Sequence, residues 1–263
     1  MQVIFMILEK NIPTHKKYSR IISLVPSQTE LLFYLGLEND VIGITKFCVH
    51  PLEWFSKKTR VGGTKNINFK TIDQLSPDLI IANKEENVKE QIEELAIKYD
   101  VWVTDVNNLS DAVKMINEIG KLTQRTEAAS TLAWQINNEF EKLRKTVSLK
   151  RKIKAAYFIW KDPYMVAGGD TFINDMMRYC GFDNIFSNQT RYPEIQLKEI
   201  EEKHCEIIIL SSEPYPFNKK HREEIQKIFP GIKIILADGE MFSWYGSRLL
   251  KATDYFRNTG DFK

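Results

Sequence analysis

The sequence has 263 residues, of which 43% are hydrophobic and 27% are charged, and its 37 Lys and Arg exceed its 35 Asp and Glu by two. This balance is typical of a globular protein and excludes a disordered chain, a fibre or a small disulfide-stapled fold. The near-neutral charge argues against a dedicated nucleic-acid-binding protein, which would carry a basic domain or stripe. At about 150 residues per domain, the length predicts one large domain or two modest ones.

In the first half of the chain, short apolar runs alternate with helical patterns. Pro26 ends the first strand, and Ser27 with Glu30 has the spacing of a capping box at the start of a helix. Strands that alternate with helices of this length predict parallel β-α-β units. The predicted elements are strands over 21–25, 41–45, 79–82 and 101–104, and helices over 31–36, 69–75, 88–99 and 109–122.

A long helix is predicted next, because residues 124–147 contain neither Pro nor Gly and repeat their apolar residues at helical spacing. Such a helix would be about 36 Å long. The alternation then resumes, with strands over 155–160, 207–210 and 232–236 and helices over 172–179, 219–228 and 248–257. We therefore predict an α/β fold with two lobes, each a mainly parallel sheet flanked by helices, joined by one long rigid backbone helix. The predicted segments are an N-terminal extension over 1–19, an N-terminal lobe over 20–123, the backbone helix over 124–149 and a C-terminal lobe over 150–263.

A weak internal repeat supports two lobes. Residues 78–85 (DLIIANKE) align with residues 206–213 (EIIILSSE), and each copy leads into a helix rich in Glu and Lys. Each then enters a strand that ends in Asp, at Asp105 and Asp238. The repeat predicts that Glu85 and Glu213 occupy corresponding strand-to-helix loops, where ligands and partners bind in open α/β sheets. The alternative is the general likeness of all β-α-β units.

Motifs of nucleotide binding and of common hydrolases are missing: the sequence has no GxGxxG after a strand, no P-loop, no HExxH and no GxSxG. Cys48, Cys180 and Cys205 show no CxxC spacing, which argues against a thiolate zinc site or a disulfide framework. Cys48 and His50 could share a metal, but no further ligand lies nearby, and we favour a loop-packing role for them. We therefore predict no metal site, no cofactor of the protein's own and no catalytic residues.

No apolar run approaches the roughly 20 residues that span a bilayer. The apolar run at residues 3–8 is short, lacks a preceding Lys or Arg and is followed by no small-residue cleavage site. These features do not predict an export signal, so a cytoplasmic location stays open.

Aromatic residues are dense in the predicted loops that follow strands. Examples are Phe47, Trp160, Tyr164, Tyr215 and Trp244. Aromatic side chains in such loops line concave sites, and their number favours a large, flat, partly apolar ligand. The alternative is that many of them close the ends of the sheets.

Several of these loops carry recognisable motifs. They are ISLVPSQTE at 22–30, VIGIT at 41–45 with Cys48 and Pro51, VGG at 61–63, SPDLIIA at 76–82, VAGGDTF at 166–172, GFDNIF at 181–186, SEPYPF at 212–217 and WYGSR at 244–248. Together these motifs resemble a known family, the substrate-binding proteins of iron-siderophore, heme and cobalamin ABC importers. The resemblance covers roughly residues 20–257, and the second half is most similar to the cobalamin branch.

The resemblance implies a fold of the class III periplasmic-binding-protein type and a monomer that clamps its ligand in the cleft between lobes without catalysis. The ligand would be cobalamin or a related metal chelate such as a ferric siderophore or heme, delivered to the permease subunits of an ABC importer. It also implies a periplasmic location, and docking of one surface glutamate per lobe onto permease arginines.

Aromatic residues would stack on the macrocycle, while Asn and Lys would meet its amide and phosphate edges. The predicted ligand-binding residues are Phe47, Lys65, Asn66, Trp160, Tyr164, Asp170, Tyr215, Trp244 and Arg248. The predicted docking residues are Glu85, Glu86 and Glu213. Arg248, at the start of the last helix, could instead be a structural anchor, and the glutamates could be solvated residues favoured at helix starts.

A second hypothesis is a two-domain α/β enzyme, transferase-like, that uses the same cleft. Asp162, Asp170 and Asp238 lie near predicted strand ends and could act as acids or bases. No nucleotide or nucleophile motif supports this reading, so the receptor is favoured.

Overall fold

The computed structural model describes residues 16–149 and 151–258. The chain forms two compact units. The first comprises the residues up to Val106 together with Asp111–Trp134 and Tyr245–Arg248, and the second comprises Asn107–Ser110, Gln135–Trp244 and the residues from Leu249. These bounds differ from the predicted segments. Asn107–Ser110 lies in the first half of the sequence but belongs to the second unit, and Tyr245–Arg248 lies near the end of the sequence but belongs to the first unit. Most of the predicted N-terminal extension, residues 1–15, lies outside the described residues.

The first unit is built on a five-stranded parallel sheet with the strand order β3-β2-β1-β4-β5. Its strands are β1 (Ile21–Ser23), β2 (Val41–Ile44), β3 (Thr59–Arg60), β4 (Leu79–Asn83) and β5 (Val101–Thr104). The helices that alternate with them are α1 (Pro26–Tyr34), α2 (Leu52–Lys57), α3 (Phe69–Leu75), α4 (Lys89–Ala96) and α5 (Leu109–Leu122).

The central strands of this sheet are buried along their whole length because helices cover both faces of a parallel sheet. Every residue of β1 and of β4 is buried. Gly43 in β2 permits close packing, since a Cβ there would lie 3.0 Å from the side chains of Leu75 and Val61.

The long helix α6 (Thr126–Ser148) has 23 residues and contributes residues to both units, which divide after Trp134. Most of its predicted apolar stripe is buried, as shown by Leu132, Ile136 and Phe140, whereas Ala128 is exposed and Val147 is half-buried. Tight packing begins at its first turn, where a Cβ at Gly120 of α5 would lie 2.3 Å from that of Ala129.

The second unit has a mixed sheet with the order β10-β9-β6-β7, and β8 also pairs with β6. Its strands are β6 (Ile153–Trp160), β7 (Met165–Val166), β8 (Phe182–Asn184), β9 (Ile207–Ser211) and β10 (Lys233–Ala237). The helices are α7 (Phe172–Tyr179), α8 (Lys198–Glu202), α9 (Lys219–Ile228), α10 (Gly239–Ser243) and α11 (Arg248–Asn258). All pairings are parallel except that of β7 with β6.

One local prediction was wrong. No capping box forms at α1, which begins after Val25 with Pro26 in its first turn and with no side-chain cap. Ser27 is buried within the helix, and the Glu30 carboxylate bonds to Arg248 instead. Proline supplies the helical φ at the first position and has no N–H to satisfy, so the helix can begin there without a cap.

No helix within residues 16–149 and 151–258 is both long enough and apolar enough to cross a bilayer.

Candidate functional site

The repeat seen in the sequence corresponds to equivalent strands in the two sheets. β4 lies between β1 and β5, and β9 lies between β6 and β10. Both strands have five residues, all buried, and both end in a short polar residue, Asn83 and Ser211. The loops after them therefore lie at the carboxyl ends of equivalent strands, the usual place for binding in parallel sheets.

The loop after β4 is organised by the buried side chain of Asn83. Its Oδ1 accepts hydrogen bonds from the backbone N–H of Glu85 at 2.8 Å and of Glu86 at 3.2 Å. Its Nδ2 donates to the carbonyl oxygen of Thr104 at 3.1 Å, and its own N–H donates to Asn87 Oδ1 at 2.8 Å. These bonds fix the backbone of the two half-buried glutamates that were predicted to dock.

Lys65 lies beside the same loop. Its Nζ donates to the carbonyl oxygen of Glu85 at 2.5 Å, and Gln91 Nε2 donates to the carbonyl oxygen of Lys65 at 3.2 Å. Asn66 follows in the same turn and is exposed. Its carbonyl oxygen accepts a hydrogen bond from the N–H of Gly63 at 2.8 Å. The structure therefore brings Lys65 to the predicted docking loop.

Phe47 lies in the loop after β2, with half of its surface exposed. Its N–H donates to Thr45 Oγ1 at 3.3 Å, and Lys46 Nζ lies 5.1 Å from the centre of its ring. The neighbouring Cys48 is buried, its Sγ lies 3.1 Å from Thr29 Oγ1, and burial raises the pKa of its thiol. Within the described part of the chain, no three His, Cys, Asp or Glu side chains cluster so as to hold a metal ion.

Arg248 belongs to the first unit, where its guanidinium forms a bidentate pair with Glu30 at 2.8 and 2.9 Å. Both side chains are largely buried, with 6% and 12% of their surfaces exposed. The preceding Gly246 has a φ of +109° and packs against Leu31, where a Cβ would lie at 3.3 Å. This geometry supports the anchor role that the sequence left as an alternative to ligand binding.

In the second unit, two predicted ligand-binding aromatics lie together. Trp160 ends β6 with 40% of its surface exposed, and its ring meets that of Tyr215 edge-on with centres 5.6 Å apart. The backbone N–H of Tyr215 donates to the carbonyl oxygen of Ile159 at 3.3 Å, which fixes the loop beside β6. Tyr164 packs instead on buried Phe158 at 5.6 Å, and burial raises the pKa of its phenol.

Asp170 has a local structural contact. It is exposed, and its Oδ1 accepts the backbone N–H of Arg191 at 2.5 Å. The Gly168–Gly169 pair before it lies against the 187–191 segment, where a Cβ at Gly169 would come within 2.0 Å of the carbonyl oxygen of Ser187. The two glycines therefore allow a close backbone approach.

The loop after β9 directs its glutamate into the unit. Glu213 Oε1 accepts from Ser243 Oγ at 2.6 Å and from Trp244 Nε1 at 2.9 Å. Its backbone carbonyl accepts from Ser211 Oγ at 2.5 Å. Burial raises the pKa of the Glu213 carboxyl, although both side-chain bonds oppose the shift. Trp244, predicted to bind ligand, is itself only 7% exposed.

Sequence reasoning missed His221, which contacts a predicted site residue. Its Nδ1 accepts the backbone N–H of Asn218 at 3.2 Å as part of a capping box on α9, and its Nε2 lies 3.2 Å from Tyr215 Oη. The Asn218-x-x-His221 spacing is the only signal in the sequence, and it differs from the usual Ser/Thr-x-x-Glu pattern.

Comparison with known proteins decides the family. A family model described as periplasmic binding protein matches residues 21–231. The chain belongs to this family. It is similar to the vitamin B12-binding protein of Pectobacterium carotovorum, at 25% identity over 89% of this chain and 85% of that protein. It also matches the vitamin B12-binding protein of Vibrio campbellii, at 23% identity over 73% of this chain and 70% of that one.

Solved structures share the fold over nearly the whole chain. The periplasmic heme-binding protein of Roseiflexus sp. RS-1 aligns with a TM-score of 0.80 at 18% identity, covering 93% of this chain and 97% of that one. The periplasmic vitamin B12 binding protein of Vibrio cholerae gives 0.76 at 20% identity, covering 90% and 94%. The predicted class is confirmed: this member of the family has two α/β units with mainly parallel sheets and one long helix, as in class III periplasmic binding proteins. Membership in a family of binding proteins favours the receptor over the enzyme.

Proposed function

We propose that the chain is the substrate-binding component of an ABC importer and that it works outside the cytoplasm without catalysing a reaction. Its cargo would be a corrinoid or a related metal chelate, such as heme or a ferric siderophore. Support comes from the family match, which spans residues 21–231, and from relatives whose names describe vitamin B12 binding.

The class of ligand is inferred from the position of the exposed aromatic side chains. Phe47 follows the carboxyl end of β2, and Trp160 ends β6, with about half and 40% of their surfaces exposed. Exposed aromatic faces at strand ends suit a flat, partly apolar macrocycle. Lys65 and Asn66 add polar groups for the edge of such a ligand, in a loop at the same end of the first sheet.

Docking onto the permease is proposed for Glu85 and Glu86 in the first unit; docking by Glu213 in the second unit would require its carboxylate to leave Ser243 and Trp244 and face outward. Carboxylates on fixed loops suit arginine partners, because bidentate charge-assisted hydrogen bonds require a defined geometry. The side-chain-to-backbone bonds from Asn83 and Ser211 supply that fixed backbone.

Two of the three aspartates that suggested an enzyme, Asp170 and Asp238, have structural contacts. Asp238 caps α10 by accepting the N–H of Glu240 at 3.1 Å, and Asp170 accepts the N–H of Arg191. These two carboxylates thus have a local role in ordering the backbone, which supports a protein that binds without catalysis.

The proposal is tested by titrating the full chain with cyanocobalamin, hemin and a ferric hydroxamate, followed by absorbance and calorimetry. We expect saturable one-to-one binding of one of them. Binding of none at tens of micromolar would overturn the proposed function.

Two variants, Phe47→Ala and Trp160→Ala, test the placement of the ligand. Loss of one stacking face is expected to weaken binding by about 5- to 50-fold, the usual range for removal of a buried aromatic contact. Trp134→Ala is the matched control, because Trp134 is an aromatic residue of α6 with 65% of its surface exposed and does not lie at a strand end. An equal loss in the control would contradict the assignment.

A further inference from the structure

The aromatic cluster at the end of β6 contains an imidazole whose two nitrogens both have defined partners. His221 Nδ1 lies 3.2 Å from the backbone N of Asn218, and its Nε2 lies 3.2 Å from Tyr215 Oη. The ring also packs edge-on against Tyr215 and Phe217, with centres 5.3 and 5.6 Å apart. These two nitrogen contacts and two ring contacts leave the imidazole little freedom to rotate.

The partner of Nδ1 determines the tautomer. A backbone N–H can only donate, so Nδ1 must be the acceptor and carry no proton. The proton of the neutral ring is then on Nε2, which makes Nε2–H a donor to Tyr215 Oη. Tyr215 Oη therefore accepts from His221.

The same bond leaves the phenolic hydrogen of Tyr215 available to donate. A phenol can accept and donate at once, and within the described part of the chain no acceptor is bonded to the Tyr215 O–H. Tyr215 is half-buried, its ring lies against exposed Trp160, and its N–H is held by the carbonyl of Ile159. The hydroxyl is thus a fixed donor beside an aromatic face.

We propose that His221 is a positioning residue that holds Tyr215 as a hydrogen-bond donor to an acceptor on the ligand. This inference rests on the proposed function and deepens it. The group it selects is a carboxylate or an amide carbonyl at the edge of a flat ligand that stacks on Trp160. A ligand edge that offers only donors would leave the Tyr215 hydroxyl unpaired, and burial of an unpaired hydroxyl lowers affinity.

A double-mutant cycle on the affinity for cyanocobalamin and for hemin tests the proposal. Tyr215→Phe removes the hydroxyl, and His221→Phe removes its partner while keeping an aromatic ring. We expect each variant to raise Kd by about 3- to 10-fold, the effect of one net hydrogen bond. The double variant should bind no more weakly than Tyr215→Phe, because His221 acts through that hydroxyl. Multiplicative losses, or unchanged binding by His221→Phe, would overturn it.

Asn218→Ala is the matched control. It removes the side-chain cap on Lys220 N–H but keeps the backbone N–H that bonds His221 Nδ1. We expect a lower midpoint of thermal unfolding and a Kd within twofold of the parent. A Kd raised as much as in His221→Phe would overturn the proposal, because it would assign the effect to the stability of α9.

A measurement without ligand separates this inference from the proposed function. Nitrogen-15 NMR of the imidazoles at neutral pH should show His221 as the Nε2–H tautomer, and Tyr215→Phe should shift that nitrogen. An Nδ1–H tautomer, or no shift, would overturn the His221–Tyr215 bond. Failure of all probes to bind the parent would overturn the proposed function. The tautomer measurement would still show whether the hydrogen bond between His221 and Tyr215 exists.

Discussion

The loops after β4 and β9 are held by the same kind of side-chain-to-backbone bond, but the side chains around the two loops are arranged differently. In both, a buried polar residue at the strand end bonds to the backbone of the glutamate two residues later: Asn83 to Glu85, and Ser211 to Glu213. In the second unit the carboxylate itself is also bonded, to Ser243 and Trp244. Beside Glu85 a lysine bonds the backbone carbonyl. The comparison shows that the backbone at two equivalent positions can be held by the same kind of bond while the side-chain contacts around the two positions differ.

The largest effect is expected at the residue that organises the first loop. Asn83→Ala removes four side-chain bonds at once and leaves Thr104 and the N–H groups of Glu85 and Glu86 without their side-chain partner. We expect a loss of about 2–3 kcal/mol in the free energy of unfolding, measured by urea denaturation. Ser211→Ala should cost less, about 1 kcal/mol, because it removes fewer bonds. Equal losses would contradict the difference between the loops.

The second loop should be the more sensitive to added volume. A Cβ at Gly239 would lie 2.5 Å from both Glu213 Cγ and Ser211 Oγ. Gly239→Ala should therefore destabilise by about 1–3 kcal/mol through overpacking, measured by urea denaturation. Gly231→Ala is the control, since a Cβ there meets nothing within 4 Å. A neutral Gly239→Ala would show that the Glu213 side chain can move aside.

The Glu213 carboxyl gives this loop a pH dependence. Burial raises its pKa above the ordinary value of 4.5, so the folded chain binds this proton more tightly than the unfolded chain. Its contribution to stability is therefore full below pH 4.5 and is lost as pH rises through the raised value. Glu213→Gln should remove this component, which we would measure as the difference between the two stability profiles over pH 4–8.

The Glu206 carboxyl provides the opposite case as a reference. Its hydrogen bonds to Arg151 lower its pKa to about 2, so its contribution is present above pH 4.5 and is lost as pH falls. Glu206→Gln should change only the acid side of the profile. A Glu213→Gln profile parallel to that of the parent would contradict the raised pKa.

The smallest effect is expected at Lys65. Its ammonium bonds the carbonyl of Glu85 from an exposed position, so Lys65→Met should change the free energy of unfolding by less than about 0.5 kcal/mol. If Lys65 faces the ligand as proposed, the same variant should weaken chelate binding in calorimetry. An unchanged Kd would limit Lys65 to holding the loop.

The prediction of secondary structure succeeded where a segment was long and periodic. The helices over 109–122, 172–179 and 219–228 match α5, α7 and α9 residue for residue. The pieces that were missed, such as β3, β7 and α8, have two to five residues and are too short to show a period. Ser27 and Glu30 were misread because a proline start made a cap unnecessary and a remote arginine took the carboxylate.

The sequence by itself determined the α/β class, the long helix and the aromatic content of the loops, and it suggested the equivalence of β4 and β9 that the strand order then showed. These depend on local spacing, which hydrophobic burial converts directly into strands and helices. Only the tertiary structure decided what the polar side chains do: that Arg248 pairs with Glu30, that Glu213 bonds Trp244, and that His221 holds Tyr215. A hydrogen bond depends on the positions of two groups to within a few tenths of an ångström, and packing sets those positions between segments that are often far apart in the chain.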